Sequence, residues 1–467
     1  MTERKIIGTL ELASKYRYGI TSHGAPLFLF RPYDEAEPEY IVGSSERDLS
    51  RNQLAVVAVT TPAPHDETKP NEIQTKPRGH LVKLFGPVGD PTAEREALLS
   101  HYCPFRNPRD VEPLTVDTAD DDDRVEINEE SGWITFHIDP PGCRDIDDAI
   151  AYNPETKAWA ITIADAAAAI PVGSWADLAA ASIGSTFYDL EGKALRPMLP
   201  AAISEDSASL LPNKRRRGLT LIIADDGSSD FVLSWITVNN SFTYDSFVGS
   251  YVQTLLPPVD TKDPHFWIEE LMVRYNKEVA ARLKQASAGL LRVQKPADAA
   301  AVASWSGIDT TLEIMAAEAA TYEVADKESV TQGHASLGLD AYCHASSPLR
   351  RYADLFNQRI LKALLRREEP MVSEPFLTAS ILNKRTKANR RWTRDLTFLS
   401  LVTPGRVHTI DVIFLGSERV WVPSWKRILR LRHTEDREPG FKGTIQIFCD
   451  PTKRNWRQRI LTAVNVA

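Results

Sequence analysis

The run HIDPPGCRDIDDAI, residues 137–150, places Asp139, Asp145, Asp147 and Asp148 within ten residues. Four carboxylates that close repel one another and raise each other's pKa unless something neutralises them. The segment is not a plain solvated turn, since Ile138, Ile146, Ala149 and Ile150 make it half apolar. A strand-like run (Trp133 to Ile138) and a DPPG turn precede the last three aspartates, so the turn folds Asp139 back toward them. In extended chain Asp145 and Asp147 share a face and Asp148 points the other way. A hard divalent cation is the natural neutraliser: magnesium takes carboxylate oxygens, keeps waters and completes its shell with phosphate. A calcium loop does not fit, because counting from Asp145 the sixth position is Ile150, not Gly, and the twelfth is Thr156, not Glu. An acidic surface turn is the competing reading.

The rest of the chain has the composition of a globular protein, 43% hydrophobic and 25% charged over 467 residues, enough for several domains. There is no long apolar run, so no membrane partner is expected, and MTERKIIGTL lacks a secretory layout. Four scattered cysteines without a C-x-x-C pair point to a reducing, cytoplasmic setting and to neither a disulfide frame nor a structural zinc site. The net charge of −8 hides an asymmetry: residues 341–467 carry 24 Lys+Arg against 11 Asp+Glu, and the preceding 340 residues carry 31 against 52. That pattern fits a local grip on a polyanion, or equally a set of solvated helix faces.

Residues 1–65 read as short strands (KIIGTLELA, YGITSHG, PLFLFRP, EYIVG, LAVVAV), a small OB-like barrel. Residues 66–125 read as a Pro- and Thr-rich linker and a partial second barrel, with GHLVKLFG a further strand and a helix starting at Asp90-Pro91. The acidic run DTADDDDRVEINEE reads as solvated loop. Residues 126–400 hold strand runs and three long helical patterns, and residues 401–467 return to strands as a short second barrel. The fold class is α+β.

The segment IDPPGCRDIDDAIAY resembles the signature of the ribonuclease II (RNB-domain) family of exoribonucleases, which includes bacterial ribonuclease II, ribonuclease R and the catalytic exosome subunit. ITIAD, GSTFYDLEGKALRPMLPAAIS, SLLPNKRRRGLTL, SFTYDSF, EELMVRYN and GHASLGLDAYCHASSPLRRYADLFNQRIL follow in family order, and the run from Tyr342 to Tyr352 is the most specific of them. The resemblance implies a central RNB catalytic domain of mixed sheet and long helices, a cold-shock-like barrel before it and an S1-like barrel after it. It implies a magnesium-dependent, processive 3′→5′ exoribonuclease that acts as a monomer on RNA with a free single-stranded 3′ end and releases nucleoside 5′-monophosphates. Mn2+ is a substitute for the one or two Mg2+ ions. The alternative is a non-catalytic RNA-binding relative.

By the same resemblance, Asp139, Asp145, Asp147 and Asp148 hold metal and attacking water, with Asp139 and Asp148 the direct ligands and Asp147 the least dispensable. Arg350 grips the scissile phosphate, which suits its planar fork. Tyr188 stacks on the terminal base. Tyr244 and Arg351 line the RNA path, and Glu270 reads 2′-hydroxyls. Only 25 residues separate Tyr244 from Glu270. The family's second clamping aromatic is therefore sought in Phe266 or Trp267. The basic helix Lys384 to Arg394 and the end segment WKRILRLRH … KRNWRQRI, with Trp392, Trp421, Trp425 and Trp456, fit phosphate contacts flanked by aromatics, or barrel core. His344 reads as structural.

Overall fold

Five short apolar runs of the N-terminal side close on one another. Strands β1 (Glu3–Leu10), β2 (Leu27–Pro32), β3 (Tyr40–Gly43), β4 (Gln53–Thr60) and β5 (Arg78–Pro87) form a closed barrel of order β1-β2-β3-β5-β4. Alternate residues fill it: Leu10, Phe28, Phe30, Tyr40, Val42, Val57 and Val59 are all buried in one cluster. Gly8 sits where β1 passes between its two partners, and a Cβ there would lie 2.1 Å from the Arg31 carbonyl oxygen. Helix α1 (Pro91–Tyr102) follows, capped by the Asp90 carboxylate accepting from the Ala93 N–H at 2.8 Å.

The fifth strand corrects the sequence reading. YGITSHG is a loop, not a strand of the barrel: Gly19 and Gly24 take positive φ, and an isolated Ile20–Pro26 bridge with its flanking backbone hydrogen bonds pairs across it. GHLVKLFG, beyond the expected end at residue 65, supplies the closing strand instead of beginning a second barrel. The linker at 61–75 lies outside the described residues.

The computed structural model describes residues 3–60, 76–108, 116–119, 121–257, 263–315, 318–325, 333–370, 372, 374–401, 406–431, 437–450 and 460–464. By internal packing the chain divides into two units, 1–105 with 306–312 and 390–467, and 106–305 with 313–389.

In the second unit the elements are β6 (Val125–Ile127), β7 (Ile134–Ile138), β8 (Asp148–Asn153), β9 (Ala158–Ala164), α2 (Ala166–Ala169), α3 (Trp175–Ile183), β10 (Phe187–Tyr188), β11 (Ala194–Arg196), β12 (Arg215–Ile223), β13 (Ser229–Thr237), β14 (Asn240–Phe242), α4 (Tyr244–Phe247), α5 (Tyr251–Leu255) and α6 (Pro264–Ala286). Then come β15 (Leu290–Val293), α7 (Ala299–Trp305), α8 (Thr310–Met315), β16 (Thr321–Val324), α9 (Tyr352–Arg366) and α10 (Pro375–Leu401), of which α8 and α10 have residues in both units. The main sheet has seven strands in the order β14-β7-β8-β9-β12-β13-β6.

Strand alternation along β8 builds two cores. Ala149 and Ala151 join the larger cluster, with Tyr275 and Val279 of α6 and Leu355, Phe356 and Ile360 of α9. Ile150 and Tyr152 face the other way, onto Phe136, Phe247, Trp267 and Ile268. Every residue of α9 from Tyr352 to Ala363 is buried, so this helix runs through the interior and fixes whatever its N-terminus carries.

The acidic run at 117–130 is not plain loop. Asp117 pairs with Arg366 at 2.7 Å, Asp121 pairs with Arg217, and Val125–Ile127 forms β6. Downstream, β17 (Val407–Phe414), β18 (Arg419–Val422), β19 (Arg427–Arg430), β20 (Lys442–Cys449) and β21 (Ile460–Val464) form an antiparallel sheet of order β19-β18-β17-β20-β21. Among the described residues no pairing closes it. Trp392, Trp421 and Trp425 are buried, so these tryptophans are core and present no stacking surface. Trp456 lies outside the described residues. Among the described residues no helix is long and apolar enough to cross a membrane.

Candidate active site

The DPPGCRD turn is pinned at both ends. The Asp139 N–H donates to Phe242 of β14 at 3.0 Å, and Ser209 accepts from the Ile146 N–H and donates to the Arg144 carbonyl. The Ala164 N–H donates to the Asp147 carbonyl at 2.8 Å, after which β8 begins with Asp148 against Ile163. Asp147 and Asp148 therefore sit at the start of an inner strand of a rigid sheet and point to opposite faces.

On one side Asp147 is buried and both its oxygens are taken. Oδ1 accepts the Leu349 N–H at 2.9 Å and Oδ2 accepts Nε of Arg350 at 2.8 Å, across 203 positions of sequence. The Arg350 loop is itself held: Ser347 N–H donates to buried Asp354 at 2.8 Å, and the Thr186 N–H donates to the Arg350 carbonyl at 3.0 Å. Nη2 of Arg350 donates to Ser347 Oγ at 3.0 Å. Its Nη1 has no hydrogen-bond partner among the described residues, and 43% of the side chain is exposed. Burial, opposed by Arg350 and by the Leu349 N–H, leaves the Asp147 carboxyl pushed up to about 7.

On the other side Asp148 and Asp139 face each other's charge. Burial, then Asp139, then Asp147 push the Asp148 carboxyl well above the usual range, and no described residue donates a hydrogen bond to it. Asp139 accepts from Nδ1 of His137 at 2.9 Å. Asp145 accepts the Tyr188 hydroxyl, with the Cys143 thiol 3.6 Å away. Burial and the neighbouring Asp139 and Asp145 carboxylates raise the Cys143 thiol, so it stays protonated and is no nucleophile.

All four aspartates, Arg350, Arg351, Tyr188 and Tyr244 line one cavity of about 820 Å³. Tyr188 is anchored through its hydroxyl, which burial and Asp145 keep neutral, and its half-buried ring is left at the cavity wall. Tyr244 opens α4 and stacks on His265 with ring centroids 3.5 Å apart. Arg351 is largely committed to the loop, donating to Asp354 at 2.8 Å and Ser347 at 3.0 Å.

Two expectations change. Glu270 does not line the cavity, whereas Glu269 does, with Ile268, Met272, Val273 and Asn276. These positions share one face of α6, and Glu270 lies about 100° round from Glu269. Trp267 is buried among Phe136, Phe247 and Trp159, and Phe266 is exposed away from the cavity wall, so neither supplies a second aromatic there. His344 is structural, hydrogen-bonded to the Tyr322 hydroxyl at 2.8 Å. His137, Glu269 and the Leu349 N–H were missed. Only His137 left a signal, two residues before Asp139 on a strand and so on the same face.

Among the described residues, no three His, Cys, Asp or Glu side chains converge as a ready ligand set for a metal. Magnesium does not require one, since it binds through one or two carboxylates, waters and substrate phosphate. The donor set suits it: oxygen only, with Asp148 lacking any donor and repelled by Asp139.

A carboxyl whose folded pKa is raised destabilises the native state as pH rises from about 4 through that raised value. In metal-free buffer at pH 7.5, Asp148→Asn should therefore raise the melting temperature by at least about 2 °C. Thermal unfolding at pH 5 and 7.5 checks this; the gain should shrink at the lower pH.

A family model for the RNB domain matches residues 127–256 and 251–367, more than half of the chain. The chain belongs to the RNB family. Exoribonuclease 2 of Erwinia tasmaniensis is 25% identical over 382 residues, which cover 62% of this chain and 58% of that protein. The RNB chain thus spans under two thirds of that relative's length. RNase R of Mycoplasma genitalium, solved with double-stranded RNA, superposes with a TM-score of 0.73 at 17% identity over 99% of this chain and 95% of that one. Yeast Ssd1, described as a pseudonuclease, superposes at 0.71 with 18% identity over 96% of this chain and 67% of that one. These likenesses establish the fold: a mixed α+β RNB core together with a barrel.

Proposed function

We propose that the chain is a magnesium-dependent exoribonuclease that hydrolyses RNA from a single-stranded 3′ end and releases nucleoside 5′-monophosphates. One observation carries this reading: the four aspartates and Arg350 line a single cavity, with Asp147 joining the acidic strand edge to the arginine loop. Asp139 and Asp148 would hold the cation, and Asp145, hydrogen-bonded by the Tyr188 hydroxyl, lines the same cavity. When bound, Mg2+ supplies a nucleophilic water and charge for the leaving oxygen. Asp147 fixes Nε of Arg350, leaving Nη1 to a phosphate oxygen whose charge grows in the transition state. Tyr188, with its hydroxyl tethered, offers a ring that every base can stack on, which suits a processive enzyme. Glu269, which lines the cavity, would be the carboxylate that meets a ribose hydroxyl.

The rival reading is an RNA-binding relative that does not cleave, which is what the likeness to the pseudonuclease Ssd1 would favour. The intact aspartate set argues against it. Matched RNA and DNA oligomers incubated with and without Mg2+, with products resolved by gel and chromatography, decide between the readings. The expected outcome is Mg2+-dependent mononucleotide release from RNA only. Retarded but undegraded RNA would establish the binding relative, and equal loss of DNA would contradict the substrate assignment.

A further inference from the structure

His137 lies on β7 with its side chain 4% exposed, and its Nδ1 is 2.9 Å from Oδ2 of Asp139. A carboxylate accepts and does not donate, so Nδ1 carries the proton of this contact. The geometry is rigid. The backbone of β7 is paired to β14 at Ser241 and Phe242, and the Asp139 N–H continues that pairing onto the Phe242 carbonyl. Two residues apart on one strand, the two side chains rise from the same face. The imidazole's other nitrogen, Nε2, is buried with no hydrogen-bond partner among the described residues. The ring is therefore held by a single polar contact, the one to Asp139. That contact occupies Oδ2 and leaves Oδ1 as the Asp139 oxygen without a donor.

We infer that His137 is a positioning residue that holds Asp139 in a single rotamer through Oδ2, so that Oδ1 is presented to a divalent cation shared with Asp148. This rests on the metal reading above. Hydrogen-bonded partners of ligating carboxylates commonly carry a large share of metal affinity, and losing one weakens binding about 10–100-fold.

The test is equilibrium Mn2+ binding followed by electron paramagnetic resonance, on wild type and three variants, each checked by circular dichroism for folding. His137→Ala should weaken Mn2+ binding about 10–100-fold. His137→Asn, whose side-chain N–H sits at about the reach of Nδ1, should bind within about threefold of wild type. His137→Phe keeps the ring's bulk without the donor and should bind as weakly as the alanine variant. Phe binding like wild type while Asn binds weakly would overturn the inference in favour of simple packing, as would an alanine variant indistinguishable from wild type. The two readings fail differently. Wild type that binds no Mn2+ overturns both. Wild type that binds Mn2+ with the expected variant pattern but degrades no RNA leaves His137's role standing and removes the exoribonuclease.

Discussion

Under the proposed exoribonuclease reading, Asp147→Asn should leave the chain folded and lower RNA hydrolysis by at least about 10²–10³-fold, the loss seen when one fixed transition-state donor is removed. The asparagine amide oxygen can still accept the Leu349 N–H, which keeps the loop seated. Its NH2 then faces Nε of Arg350, donor against donor, where a carboxylate oxygen stood. Arg350 loses its anchor, and its long side chain regains rotamer freedom that it must give up in each turnover. If holding Arg350 is the main task of Asp147, the double variant Asp147→Asn/Arg350→Ala should be no slower than Arg350→Ala alone, a strongly non-additive cycle. Single-turnover rates on a short RNA measure this. Full additivity would show that Asp147 acts independently of the arginine, as a metal ligand would.

The second large effect is on stability. Asp165, the last residue of ITIAD, is fully buried and holds Nη2 of Arg124 at 2.5 Å and Nζ of Lys362 at 3.1 Å. It also caps α2 through the Ala168 N–H at 3.1 Å. Asp165→Ala removes the shared counter-charge of two buried cations and should cost about 3–5 kcal/mol of unfolding free energy. Urea titration of wild type and variant measures it. Burial alone would raise the Asp165 carboxyl, but Lys362 and Arg124 hold it below the usual range. Its contribution is therefore fully present above the unfolded carboxyl pKa of about 4 and is lost as pH falls through the lowered folded value. The gap between wild type and variant should be constant from pH 8 to 5 and narrow below about 4.

Much of the site was legible in sequence because its chemistry is local. Four aspartates in ten residues and an SPLRRY run are patterns that one stretch of chain displays whole. What was not legible needed three dimensions. The Asp147–Arg350 contact spans 203 positions, and nothing in either segment names the other. Choosing between Glu269 and Glu270 needed the phase of α6, which adjacent carboxylates do not reveal. YGITSHG reads as a strand because it is a short run with β-branched residues between turn residues, but glycines at positive φ make it a loop, and strand β5 comes from beyond a linker. The acidic run at 117–130 read as solvated because its partners Arg217, Lys362 and Arg366 lie far along the chain. The tryptophans near the basic segments were open between stacking and core, and burial decides for core in the three described.

The most direct measurement is a time course on a single-stranded RNA labelled at its 5′ end, run with Mg2+, with EDTA, and with Asp147→Asn in Mg2+. The account predicts a labelled band that shortens from the 3′ end only for wild type with Mg2+, while chromatography collects nucleoside 5′-monophosphates. Undiminished full-length RNA with wild type and Mg2+, or equal shortening by the Asp147→Asn variant, would contradict it.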